Sequence, residues 1–149
     1  MKKLSEIHSL IWKPDFSVKV VELDKQHKKI FAFINLLNEA LTSHDRSIVI
    51  TIRDVLVELG EYANYHFANE EKYFDKFNYE ETEKHITEHN NYRTRIELFN
   101  NRLRTVHEEG DNMQTFGLDL FEFLEGWWIG HINNSDHKYS KCFNEHGLF

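Results

Sequence analysis

Between His85 and Val106, seven residues fall at alternating steps of four and three: His85, His89, Tyr92, Ile96, Phe99, Leu103 and Val106. That spacing is the seam of a helix packed into a left-handed bundle. A strand would alternate every two residues instead. Three further stretches carry stripes of the same kind. From about Val21 to Ser43 the stripe is Leu23, His27, Ile30, Phe31, Ile34, Leu37 and Leu41. From about Ile48 to Phe74 it is Ile52, Val55, Leu56, Leu59, Ala63, His66, Glu70 and Phe74. From near Met113 it is Phe116, Leu120, Phe123, Leu124, Trp127, His131 and Ile132. The seam helix itself is expected over roughly Glu80 to Val106.

Six Gly and one Pro in 149 residues supply too little turn chemistry for a many-stranded sandwich or barrel. The stripes are broken at His44–Ser47, at Asp75–Tyr79 and at His107–Asn112, which includes Gly110. Four amphipathic helices with short connections predict an all-α, antiparallel up-down-up-down four-helix bundle. One domain is expected over residues 1–149, with an extended N-terminal arm over 1–20, the bundle over about 21–140 and a C-terminal tail over about 141–149. Trp12, Pro14 and Phe16 suit an arm that packs through its rings.

The net charge is −7 and no basic run occurs, which argues against a nucleic-acid partner. No stretch has 18 consecutive apolar residues, and the start lacks the apolar core of a signal peptide, so neither membrane nor export is expected. Cys142 has no second cysteine to bridge, which suits a reducing, cytoplasmic setting.

The ten histidines are the unusual feature. His27, His66, His85, His89 and His131 stand on apolar stripes, as does Glu70, and Asp136 follows His131. Buried ionisable groups are costly unless paired or bound to metal. Five imidazoles and two carboxylates are too many for one ion and suit two. His66/Glu70 and His85/His89 are i, i+4 pairs that project from one helix face. His131 and Asp136 are five apart, so a regular α-helix would rotate them off a common face. A local π-type widening is therefore predicted between them.

Other polar residues read as ordinary surface: His8, His44, His107 and His146 in arm, loops or terminus, and Glu81, Glu83 and Glu88 on a solvated face. His137 lies on a different face from Asp136. Closed tetrahedral zinc is a poor fit to so many donors.

The string His66-Phe67-Ala68-Asn69-Glu70-Glu71, followed by His85-x-x-x-His89 and His131-Ile132-x-x-x-Asp136 and preceded by Asp24-x-x-His27, resembles the hemerythrins over about residues 10 to 140. Single-domain bacterial members are the most similar. The resemblance implies two non-haem iron ions (Fe2+/Fe3+) with a bridging hydroxide or oxide. His85, His89 and His131 would complete one iron. His27 and His66 would bind the other and leave a position open, and Glu70 and Asp136 would bridge both. Dioxygen would enter the open position, in a pocket formed by Ile30, Phe67, Trp127 and Ile132, take two electrons and leave by the reverse path.

Trp128 adds a second bulky ring beside Trp127 that reshapes this pocket. The implied function is a carrier or store of dioxygen rather than an enzyme, in a monomer or small homo-oligomer. Two other classes compete: a di-iron enzyme of oxygen, peroxide or nitric oxide, and an oxygen or iron sensor acting through a separate partner. Oxidase-type bundles use Glu-x-x-His motifs, and none occurs here.

Overall fold

A computed structural model of the protein describes residues 4–43, 48–106 and 110–149. Helices α1 (Val21–Thr42), α2 (Ile48–Phe77), α3 (Thr82–Leu103) and α4 (Gly110–His131) form the bundle. A π-helical turn, Ile132–Asp136, leads without a break into α5 (His137–Glu145). No strand occurs among the described residues. His27 near the start of α1 lies beside Glu70 near the end of α2, and His85 near the start of α3 lies beside His131 at the end of α4. Successive helices therefore run in opposite directions. No helix is long and apolar enough to cross a membrane among the described residues.

The widening expected between His131 and Asp136 is present as the π turn. Helix boundaries differ from the stripes at several ends. Helix α2 runs on to Phe77 because that ring packs against Tyr73, Phe143 and His146, with centroids 4.6–5.9 Å apart. Helix α3 is shorter than the expected Glu80 to Val106, beginning at Thr82 and ending at Leu103. Helix α4 starts at Gly110, so the expected loop over His107–Asn112 is helical from 110 onward. The loop at His44–Ser47 and the histidine at 107 lie outside the described residues.

The expected tail is largely ordered helix. Tyr139 and Phe143 are fully buried against Phe74. Gly147, at φ 84°, ends the run, with the Leu148 amide donating to the Phe143 carbonyl and the Gly147 amide to that of Asn144. This left-handed glycine closure satisfies carbonyls that a helix end leaves free.

The arm folds back on the bundle. Trp12, Phe16 and Phe31 form a ring cluster with centroids 5.3–5.6 Å apart, while Val18 and Val20 are fully buried. Asp24 fixes this entry: its carboxylate accepts from the Ser17 hydroxyl at 2.6 Å and the Val18 amide at 2.8 Å.

Close approach of α4 to α1 and α2 depends on Gly117, where an added Cβ would meet Leu41 Cδ2 at 2.7 Å and Ile52 Cδ1 at 3.0 Å. Gly117→Val should lower stability by at least about 2 kcal/mol through overpacking. The urea midpoint should fall with the slope unchanged. Gly126 has open space around its Cβ position, so Gly126→Ala should instead gain up to about 1 kcal/mol. Equal midpoints for the two variants would contradict the packing described.

Candidate metal centre

All seven side chains singled out in the sequence meet at one end of the bundle. His27, His66, Glu70, His89 and Asp136 are fully buried, and His85 and His131 nearly so. They form two overlapping groups, each with ligand atoms within 4.8 Å of one another: Glu70, His85, His89, His131 and Asp136, and His27, His66, Glu70 and Asp136. Both carboxylates belong to both groups. Asp136 divides its oxygens between them. Oδ1 is 3.0 Å from the Nε2 atoms of His85 and His131, and Oδ2 is 3.0 Å from His27 Nε2. Glu70 Oε1 lies 3.2 Å from His89 Nε2 and 3.4 Å from His66 Nε2.

These contacts are close without being hydrogen bonds. The Nε2 atoms of all five histidines, Glu70 Oε1 and both Asp136 oxygens are buried with no hydrogen-bond partner. So many orphaned donors and acceptors at one point would be strongly destabilising unless something else binds them. Their spacing of about 3.0 Å is the edge of a coordination shell with bonds of roughly 2.0–2.1 Å. The donor set fits a pair of metal ions.

The opposite ring nitrogens are held from outside. His66 Nδ1 donates to Gln26 Oε1 at 2.6 Å, His89 Nδ1 to Glu71 Oε2 at 2.8 Å, and His131 Nδ1 to Glu88 Oε1 at 3.2 Å. Such bonds fix the tautomer and aim the Nε2 lone pair inward. Glu88 also accepts from the Ser135 hydroxyl at 2.6 and 2.7 Å, which ties α3 to the π turn. Glu88, expected on a solvated face, is only partly exposed and turns across to α4. Tyr139 on α5 donates to Glu70 Oε2 at 2.6 Å. Gln26, Glu71, Glu88, Ser135 and Tyr139 were not apparent as site residues from the stripes. Only Tyr139 left a periodic signal, since Asp136, Tyr139 and Phe143 continue a 3-4 spacing.

Burial drives the His66 imidazole down to about 3, so it is neutral, as a ligand must be. Burial also opposes a charge on His131, but the Asp136 carboxylate and the hydrogen bond to Glu88 outweigh it and raise the ring to about 10. Asp136 is correspondingly held well below the ordinary carboxylate range despite burial, first by His131. The hydrogen bond from His131, against some burial, brings Glu88 down to about 2. Without metal, a proton on His131 supplies the positive charge that Asp136 requires.

Of the four expected pocket residues, Ile30, Phe67 and Ile132 are fully buried. Trp127 is half-buried and stacks on His131, with centroids 4.4 Å apart and planes at 15°. The indole beside His66, at 5.9 Å, is that of Trp128, which is fully buried and donates to the Tyr92 hydroxyl at 3.3 Å. The reason is rotation. Trp127 is one turn before His131 and follows its face, whereas Trp128 is turned about 100° toward α2. Phe67 lies flat on His89, centroids 3.9 Å apart, with Trp128 stacked behind it at 5.5 Å. His137 and Cys142 belong to neither group.

Residues 18–142 match the family model of the hemerythrin HHE cation binding domain. The chain belongs to the hemerythrin family. It is 28% identical over 135 residues to a bacteriohemerythrin of Clostridium acetobutylicum, covering 87% of this chain and 97% of that protein. A bacteriohemerythrin of Pseudomonas paraeruginosa is 30% identical over 130 residues, covering 87% of this chain and 78% of its own length. A solved wild-type hemerythrin superposes with a TM-score of 0.74 at 26% identity, covering 91% of this chain and 98% of that one. The hemerythrin match begins at Val18, where Asp24 fixes the arm, and ends at Cys142 on α5.

Proposed function

We propose that this hemerythrin-family chain binds dioxygen reversibly at a two-iron, non-haem centre, for transport, storage or delivery. The observation that carries the reading is the set of seven buried side chains whose inward atoms have no hydrogen-bond partner, in two groups that share both carboxylates. His85, His89 and His131 would hold one ion, His27 and His66 the other, and Glu70 and Asp136 would span the two. The second group has one histidine fewer, which leaves a coordination position for a ligand. An iron pair, when bound, supplies the two-electron redox chemistry that reversible dioxygen binding needs.

The chain's own residues surround the site with apolar side chains and hold the Tyr139 hydroxyl protonated. Ile30, Phe67, Trp128 and Ile132 are all fully buried and present apolar surface to a small neutral gas. The Tyr139 hydroxyl, raised well above its ordinary range by burial and then by the Glu70 and Asp136 charges, keeps its proton on Glu70. A hydroxyl that holds its proton this firmly is a poor acid toward a bound oxidant, which favours release over turnover.

The test is to load the protein anaerobically with ferrous iron, count metal per chain, and cycle air while recording the visible spectrum. Two irons and a charge-transfer band that appears with air and disappears on its removal are expected. Immediate, irreversible oxidation would move the reading to an oxygen, peroxide or nitric oxide enzyme. Fewer than two irons would refute the two-ion assignment.

A further inference from the structure

The hydrogen bonds behind the histidines are not alike on the two sides of the centre. On the side of His85, His89 and His131, two of the outer partners are carboxylates, Glu71 and Glu88. Glu88 is itself fixed by Ser135, and Glu71 by Arg93 at 3.5 Å. On the side of His27 and His66, among the described residues, no carboxylate stands behind a ring. His66 meets the neutral amide of Gln26, which is buried, and His27 Nδ1 is buried with no hydrogen-bond partner. An imidazole that donates to a carboxylate is the more basic ligand.

We propose that these outer partners grade the centre, so that the His27/His66 half holds its ion more weakly, fills last and empties first, with Gln26 as the residue that sets the difference. The inference rests on the two-iron reading and adds an order to it. A weakly supported ion would retain Lewis acidity for an incoming ligand, while the carboxylate-backed half stays anchored. Gln26, Glu71 and Glu88 act here as positioning residues, through the rings they hold.

The test is an anaerobic competition for ferrous iron against a colorimetric chelator, using the full chain and the variants Gln26→Glu and Glu71→Gln. The unsubstituted protein is expected to release iron in two classes. Gln26→Glu should tighten the weaker class about tenfold and leave the tighter one in place. Glu71→Gln should weaken the tighter class by a similar factor, and it keeps the test open should the buried carboxylate of Gln26→Glu impair folding. A purely structural role for Gln26 cannot produce tighter binding in one class alone. Two indistinguishable classes, or a Gln26→Glu variant that weakens both, overturns the grading while leaving two irons per chain. A protein that takes up one iron or none overturns the two-iron reading itself.

Discussion

Stripping the metal is expected to lower the thermal midpoint of this protein by roughly 15–30 °C. An ion that binds only the folded chain stabilises it by about 4 kcal/mol when free metal is a thousand times its dissociation constant. Two such ions give roughly 8 kcal/mol, and a domain of this length moves about 2–4 °C per kcal/mol. The structural cause lies in what remains after removal. The five Nε2 atoms, Glu70 Oε1 and both Asp136 oxygens have no hydrogen-bond partner. Protons can replace only part of the lost charge: His131 takes one readily beside Asp136, whereas buried His66 resists. The folded state should survive, because the core at the other end of the bundle, among it Leu37, Leu41, Ile52, Leu56, Phe99 and Phe116, does not depend on the site. Calorimetry of iron-loaded and chelator-stripped protein under nitrogen measures the difference. Unfolding at one temperature in both forms would mean the seven side chains are content without metal, and the centre would have to be abandoned.

The parts of this architecture that were legible in the sequence are those in which a helix reports its own faces. The 4-3 seam of α3 and the i, i+4 pairs of α2 and α3 require no knowledge of neighbours. The five-residue interval from His131 to Asp136 is the sharpest case. Two residues committed to one centre cannot share a face at that spacing in a regular α-helix, so the backbone must widen, and it does. The illegible parts depend on what approaches from another helix. Glu88 sits next to His89 on a polar stretch and looks solvated; it becomes a partner of His131 because α4 arrives beside it. Gln26 is a polar residue beside a ligand until α2 places His66 Nδ1 2.6 Å away. Trp127 and Trp128 are adjacent, and periodicity alone cannot decide which turns inward where the helix is about to change its pitch. The structure gives His131 to the first and His66 to the second. The C-terminal segment was missed for a different reason, since nine residues of α5 give a period too little length to stand out from a polar tail.

Replacing His27 with leucine should move stability and metal content in opposite directions. His27 is fully buried, and neither ring nitrogen has a hydrogen-bond partner. In the metal-free protein a leucine of similar size removes that cost, of about 1–3 kcal/mol per unsatisfied group, and supplies apolar packing. The proton that His131 holds beside Asp136 Oδ1, at 3.0 Å, still compensates the carboxylate charge when the imidazole on Oδ2 is lost. The metal-free midpoint should therefore rise by roughly 2–12 °C. With iron the variant loses. The half that already has the fewest histidines and no carboxylate behind its rings would retain only His66 and the shared carboxylates, and the iron count should fall from two to one. The air-dependent absorption band should vanish with it. The stabilisation conferred by iron should drop by about half, because the His85/His89/His131 side is left intact. Calorimetry with and without iron, an iron count and one cycle of air measure all of these on a single variant. A His27→Leu protein that still holds two irons and still binds dioxygen reversibly would place the open position elsewhere in the centre. A metal-free midpoint below that of the parent would mean that His27 has a favourable role in the empty site that its unpartnered nitrogens do not reveal.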